Sequence, residues 1–315
     1  MSNTASLALA RVLAHCGGSP AEAVAYVAAA IEHDPADPEP YDLIAELRPD
    51  LGAPTGLAQF VAGSYLQFLD GDTDGAARML GSVTGFRPEV AWAAAPWFTS
   101  DRFRSTVTIG GLADATVAIT DYDRDLDNDV VRDNLRPWMR LIDIVCERDP
   151  VAEQMARMAI LLRYCGRTEE SFALCDRADG IEKLMLTEVV RAGTWGFLGR
   201  RDEQAAALRR ALALDPANWS LYLDLADHAA MAGDFGSAAD LVNQGLQHEP
   251  DDVTLRAAGA TYRLRAGGPV DDVDLLLELA PDMPHAGYRN GLIEQALGTP
   301  GLPADRTEQL STWLS

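Results

Sequence analysis

Glycine and proline recur along this chain at a fixed interval. Gly199 is followed 17 residues later by Pro216, Gly233 by Pro250 and Gly267 by Pro284, and the three pairs stand 34 residues apart. The same step separates Gly71 from Pro88 and Gly18 from Pro35. Glycine can end a helix because it adopts positive φ without a Cβ penalty. Proline cannot continue one. A Gly-to-Pro ruler therefore marks a turn and then an exit, the outline of a helix–turn–helix unit, and self-similarity at such a period constrains the whole architecture.

Between the marks lie apolar residues at helical spacing. Ala207, Leu208, Ala211 and Leu212 precede Asp215-Pro216, and Leu241, Val242, Gly245 and Leu246 precede Glu249-Pro250. Small residues such as Ala226, Ala238 and Gly245 fall where paired helices must approach closely. On these residues the chain resembles the tetratricopeptide repeat (TPR) family. Unit 219–252 matches its pattern with Tyr222, Leu225, Ala226, Gly233, Ala238 and Pro250. Unit 57–90 matches with Phe60, Ser64, Gly71, Ala76 and Pro88, with Gly63 where leucine is usual. The units starting near Met185 and Val253 carry Gln204 and Asp272 where alanine is usual. The resemblance covers 185–286 and 57–90, and 4–37 in part.

The resemblance implies an all-α fold, an α-solenoid of helix–turn–helix repeats with an irregular central segment. The expected organisation is an N-terminal array over 1–90, an irregular helical segment with degenerate repeats and an acidic loop over 91–184, a C-terminal array over 185–286, and capping helices over 287–315. From Gly71 to Gly199 is 128 residues, which is not a multiple of 34, so altered or inserted repeats are expected there. Helical periodicity persists through 135–145, 151–163 and 168–177. The most strand-like run, 106–109, is followed by Gly110-Gly111 and reads as a linker.

Of the 315 residues, 48% are hydrophobic, enough for a packed core, and the formal net charge is -22. A field of that sign repels phosphate backbones and anionic lipid, which argues against nucleic-acid and membrane-surface partners. No stretch approaches the roughly 20 apolar residues of a membrane helix. Residues 1–16 lack a basic n-region and Arg11 interrupts their apolar run, so no signal peptide is expected and the chain reads as cytoplasmic. Cys16, Cys146, Cys165 and Cys175 form no CxxC pair and read as small buried hydrophobes. Lys183 is the only lysine, which a high-GC coding bias of bacterial type explains.

Catalytic templates are missing: there is no GxGxxG, Walker loop, GxSxG or HExxH. The histidines are scattered, and His33 and His248 stand just before repeat-ending Asp-Pro and Glu-Pro, where a cation suits a helix C-terminus. The run 70–75 opens like a calcium loop, but Gly81 stands where the bidentate glutamate belongs. The run Asp121, Asp123, Asp125, Asp127 and Asp129 has Leu126 at the position of the central glycine. Both read as structural or solvated acids, and no metal or other cofactor is expected.

TPR ligands lie along the concave groove of the first helices. Mapped here, the resemblance places Leu186, Val189, Gly193, Ser220, Leu223, Asp227, Thr254, Ala257 and Thr261 on that face. Val189, Leu223 and Ala257 stand where a carboxylate-binding cationic clamp would start, so an apolar or basic segment suits the groove better. The leading expectation is a non-catalytic scaffold or adaptor binding a partner protein or peptide, with self-association through an array end compatible with it. The alternative is an enzyme or small-molecule receptor with a pocket between the two arrays. Trp97, Phe98, Arg102, Arg104, Arg136 and Trp138 would line it, because aromatic and arginine residues dominate binding hot spots. The competing view has these aromatics filling an irregular junction.

Overall fold

A computed structural model describes residues 3–15, 20–51 and 55–314. Gly18 and Cys16 lie outside the described residues. Among the described residues the fold is all-α, with no strand, and run 106–109 is a helix end and the link to the next helix. Ten helices belong wholly to a first compact unit, residues 1–190: α1 (Asn3–His15), α2 (Pro20–His33), α3 (Glu39–Leu47), α4 (Leu57–Asp70), α5 (Thr73–Phe86), α6 (Asp101–Thr106), α7 (Ile109–Thr120), α8 (Asp129–Arg148), α9 (Ala152–Tyr164) and α10 (Thr168–Asp179). Helix α11 (Met185–Phe197) carries the boundary. A second unit, residues 191–315, holds α12 (Arg201–Leu214), α13 (Trp219–Met231), α14 (Phe235–Gly245), α15 (Val253–Arg265), α16 (Asp272–Leu279), α17 (Ala286–Leu297) and α18 (Ala304–Ser311).

The second unit keeps strict period. Its turns place Gly199, Gly233, Gly267 and Gly301 at φ of 69°, 82°, 88° and 75°, a region that favours glycine. Gly301 extends the ladder by one more step of 34. At the turn after α13, Asp234 accepts from the Ser237 N–H at 3.0 Å, capping α14 as α13 ends. Between repeats, the Tyr222 hydroxyl donates to the Pro216 carbonyl at 3.0 Å and fixes the entry to α13. Its ring lies 5.6 Å from that of His248, which therefore packs just beyond the end of α14. A Cβ on Gly245 would come 3.2 Å from Tyr222 Cβ and 3.3 Å from Leu255, so the absence of a side chain lets α14 lie close to both first helices.

In the first unit the period survives where the sequence ruler lapses. Asp74 at the start of α5 accepts from the Thr108 N–H at 2.8 Å and from its hydroxyl at 2.7 Å, clamping the start of α7. A Cβ on Gly81 would sit 2.4 Å from the Ala115 carbonyl oxygen, and one on Gly85 2.5 Å from that of Ile119. The pairs 74/108, 81/115 and 85/119 are each 34 apart, so α5 and α7 are parallel, successive second helices of the repeat. The first helix between them is broken into a 3-10 turn, Trp92–Ala94, and the short α6. The 33-residue step from Thr168 to Arg201, the starts of α10 and α12, resumes the array.

Two insertions shift the ruler: α3, and the acidic loop with α8. The buried side of α8 includes Val131, Leu135, Trp138, Ile142 and Val145, at helical spacing. Arg148 at its end donates to the Arg104 carbonyl at 2.6 Å, and Asn134 to that of Pro88 at 3.1 Å. Residues 1–90 and 91–184 share one hydrophobic core. Gly81→Ala should destabilise the chain by about 1–3 kcal/mol, because the new methyl meets a helix backbone that cannot rotate away. Urea denaturation checks this, and an unchanged midpoint would contradict the close α5–α7 approach.

Candidate functional site

In the second unit the first helices α13, α15 and α17 present corresponding residues at 34-residue steps: Ser220, Thr254 and Tyr288; Leu223, Ala257 and Gly291; Asp227, Thr261 and Gln295. The Tyr288 hydroxyl on α17 donates to Asp227 Oδ1 on α13 at 2.7 Å, and the Tyr262 hydroxyl on α15 donates to the same oxygen. One carboxylate oxygen thus ties three first helices together. Thr261, fully buried on the middle helix, has no hydrogen-bond partner for its hydroxyl, and neither has the buried Gln295 Oε1.

Asp224 stands three residues before Asp227, on the same side of α13. Loss of hydration, helped by the Asp227 carboxylate, pushes its carboxyl up to about 6. Yet Asp224 still exposes surface to solvent. Desolvation also raises the Asp227 carboxyl, against the lowering by its two tyrosine donors. Desolvation and the neighbouring acid raise both tyrosines well above the usual phenol range, so they stay protonated donors. No cation contributes to the shift of either aspartate.

Of the expected groove residues, Leu186 and Val189 lie in the first unit and the other seven in the second. Ser220 is exposed, and its hydroxyl donates to the capping Asn218 side chain at 2.7 Å. Gly193, Leu223, Asp227 and Thr254 are half-buried, whereas Ala257 and Thr261 are buried. Sequence reasoning missed Asp224, Tyr288 and Gln295. One further step of the ruler from Thr254 and Thr261 would have reached the last two.

The aromatic set behaves differently from a ligand pocket. Trp97, Phe98 and Trp138 are 5%, 2% and 0% exposed and belong to the core of the first unit. Phe98 and Trp138 rings lie 4.6 Å apart, Trp97 and Phe103 5.2 Å, Phe68 and Trp97 5.3 Å, at the close aromatic separations of a packed interior. They occupy the space beside the broken first helix. Arg102 donates to the Phe68 carbonyl at 3.1 Å and lies over its ring, Arg104 faces Asp101, and Arg136 pairs with Asp133 at 2.6 Å. The cavity beside Phe98 and Arg104 is only about 60 Å³, room for a few waters. Three of the four arginines that line an open cleft of about 500 Å³ face carboxylates, as Arg136–Asp133, Arg132–Asp127 and Arg167–Glu170. This arrangement does not favour an Arg/Trp-lined ligand pocket.

The acidic runs have structural work. Asp72 caps α5 through the Gly75 N–H at 2.9 Å, Asp74 holds α7, and Asp127 pairs with Arg132. Among the described residues no helix is long and apolar enough to cross a membrane.

Trp138→Ala should cost about 3–5 kcal/mol in urea denaturation, whereas Arg136→Ala should stay within about 0.5 kcal/mol. Comparable small losses for both would speak for a solvent-facing Trp138. The folded pKa of Asp224 exceeds the unfolded value, so the folded chain binds the proton more tightly and this group adds stability as pH falls through about 6 toward the unfolded value near 4. Asp224→Asn should therefore be more stable than the native chain at about pH 8, by no more than about 1 kcal/mol because the group reaches screening solvent, with the difference gone near pH 4. Melting curves across that range decide it, and a variant less stable at about pH 8 would refute the desolvated carboxylate.

No family model and no curated protein matches the sequence. Among solved structures, the chain is similar to a tetratricopeptide repeat protein from Parabacteroides merdae, at 13% identity over 99% of each chain and a TM-score of 0.41. It is also similar to a TPR protein of Thermus thermophilus, at 17% identity over 84% of this chain and 100% of that one, TM-score 0.32. A third is the C-terminal part of a TPR repeat-containing protein from Cytophaga hutchinsonii, at 8% identity over 91% and 99%, TM-score 0.41. Likenesses at that level leave the assignment to the chain's own geometry. With paired helices at 34-residue intervals, positive-φ turn glycines and parallel second helices, the chain is an all-α array of tetratricopeptide-type repeats.

Proposed function

We propose that this chain is a non-catalytic scaffold whose second unit holds a segment of a partner protein against the inner face of α13, α15 and α17. The observation that carries this reading is the row of corresponding positions on those helices. Ser220, Leu223 and Thr254 remain open or half-open beside the carboxylates, with no chain segment described over them. Met231, 62% exposed at the end of α13, adds apolar surface next to the same row. A face of this kind, polar with isolated apolar contacts and preorganised on rigid helices, recognises a polypeptide with little ordering cost on its own side. The residues we assign to it are Gly193, Ser220, Leu223, Asp227 and Thr254, with Ala257 and Thr261 as its floor. Leu186 and Val189 lie in the first unit and are not assigned to this face.

Partner chemistry follows from the charge. A chain of net charge -22 draws cationic or apolar segments and repels nucleic acid and anionic lipid. A reducing compartment, the cytoplasm, suits Cys146 and Cys165, free buried thiols that burial pushes up to about 11 and about 12, leaving them unreactive. Self-association through an array end is compatible with this role.

The test is a displayed library of random peptides panned against the full chain and against Leu223→Glu, with circular dichroism confirming that the variant keeps its helices. Peptides retained by the native chain and lost, by about ten-fold or more in affinity, on Leu223→Glu support the inner face as the binding surface. Peptides held equally well by both place binding elsewhere.

A further inference from the structure

The first unit carries an open, largely apolar cavity of about 240 Å³ between the start of α4 and the end of α5. Its walls are Leu57 and Phe60 of α4, Val83 and Phe86 of α5, and Tyr122, just beyond the end of α7. Phe86 is 42% and Tyr122 37% exposed, so two aromatic rings of this wall face water. The large aromatics at the broken helix, Trp97, Phe98 and Trp138, are by contrast packed away. The two open rings are nonetheless held in place. A Cβ on Gly85 would lie 2.7 Å from Tyr122 Cδ2, so the missing side chain admits that ring against α5. The Tyr122 and Phe86 rings then meet edge to face at 5.8 Å.

We propose that this cavity docks a partner polypeptide, taking one leucine or aromatic side chain with an arginine or lysine next to it in sequence. Size sets the anchor. A cavity of about 150 Å³ lined by Leu, Ile and Phe binds benzene, so one of about 240 Å³ has room for an indole. Filling it takes Phe86 and Tyr122 out of water, the arrangement of an anchor residue in a hot-spot pocket. A free small molecule fits less well, because such sites add polar groups placed to orient the ligand. Here the wall hydroxyls are committed, Ser82 to the Arg78 carbonyl at 3.3 Å and Thr55 to Gln59 at 3.0 Å. Charge sets the flank. Asp121 and Asp123, on either side of Tyr122, are exposed, and neither side chain has an ion pair or hydrogen bond among the described residues. Farther along the run Asp127 and Asp129 face Arg132, and Asp125 accepts from the Asp127 N–H at 2.9 Å. Arg124, the only cation of the run 121–129, lies over the Phe86 ring. Opposite charge at the rim then selects a basic neighbour for the anchor and rejects an acidic one. The site belongs to the first unit and stands independently of the inner face of α13, α15 and α17.

The probes are three blocked tripeptides, Arg-Trp-Arg, Arg-Ala-Arg and Glu-Trp-Glu, titrated into the full chain with its Leu and Val methyls labelled for NMR. Arg-Trp-Arg should move the Leu57 and Val83 methyl resonances saturably, and the other two should leave them in place. Ser82→Trp, which fills the cavity from α5, should abolish the shifts. Asp121→Asn/Asp123→Asn changes only exposed, unpartnered side chains and should weaken Arg-Trp-Arg by about three- to ten-fold at low salt. Leu223→Glu, on the other unit, should change nothing at these methyls. Methyls that stay still with Arg-Trp-Arg, or that move equally with Arg-Ala-Arg, overturn the anchor site. So do shifts that survive Ser82→Trp in a chain whose circular dichroism is unchanged. Glu-Trp-Glu binding as tightly as Arg-Trp-Arg, or an unweakened Asp121→Asn/Asp123→Asn, overturns the basic flank and with it the proposed partner.

Discussion

The close approach of helix backbones across a 34-residue offset is what the rest of this structure depends on. Gly81 and Gly85 let α5 lie against the Ala115 and Ile119 carbonyls of α7, and Gly245 separately lets α14 lie close to the side chains of Tyr222 and Leu255. Helices that touch this closely have few ways to pack, because side-chain interdigitation is replaced by backbone contact. Once that offset is set, equivalent positions of successive repeats come into line. The inner face is then a consequence: Asp227, Thr261 and Gln295 stand in a row because the helices that carry them repeat at the same step.

Several of the aspartates have structural work. Asp72, Asp234 and Asp252 sit at helix starts, where their side chains accept backbone N–H groups and the helix dipole favours a negative charge. Asp272, nearly buried, is neutralised by Arg263 at 2.6 Å. Asp224 and Asp227 receive neither treatment, apart from the two tyrosine hydroxyls on Asp227. Stability would be served by an arginine there, and fold-level selection commonly tolerates such a cost where a surface has another task.

The aromatic block around Trp97, Phe98, Phe103 and Trp138 illustrates the opposite outcome. Its position at the break in the ruler suggested a site, and the break is real: the first helix of that repeat is reduced to a 3-10 turn and α6. The rings fill the volume that a regular helix would have occupied, and α8 is laid over them. A missing helix must be replaced by bulk or by a cavity, and cavities are destabilising. Large side chains at an irregularity are therefore as much a packing answer as a binding one. Burial separates the two, and burial cannot be read from one strand of sequence.

Period, turn chemistry and helix class were all legible in the residues, because they depend on interactions within a few positions: glycine at positive φ, proline at an exit, aspartate at an N-cap. The expected groove row was drawn from the same ruler, and extending it by one step reaches Tyr288 and Gln295. The survival of the period between α5 and α7 was not legible, since it is carried by contacts between residues 34 apart after the first helix of the repeat has been lost. Nor was the pairing of Tyr262 and Tyr288 on one oxygen of Asp227. Local propensity determined which segments are helices and where they turn; the tertiary structure alone decided which carboxylates lose their water without gaining a cation, because desolvation is the sum of everything packed around a group and no neighbour in sequence determines it.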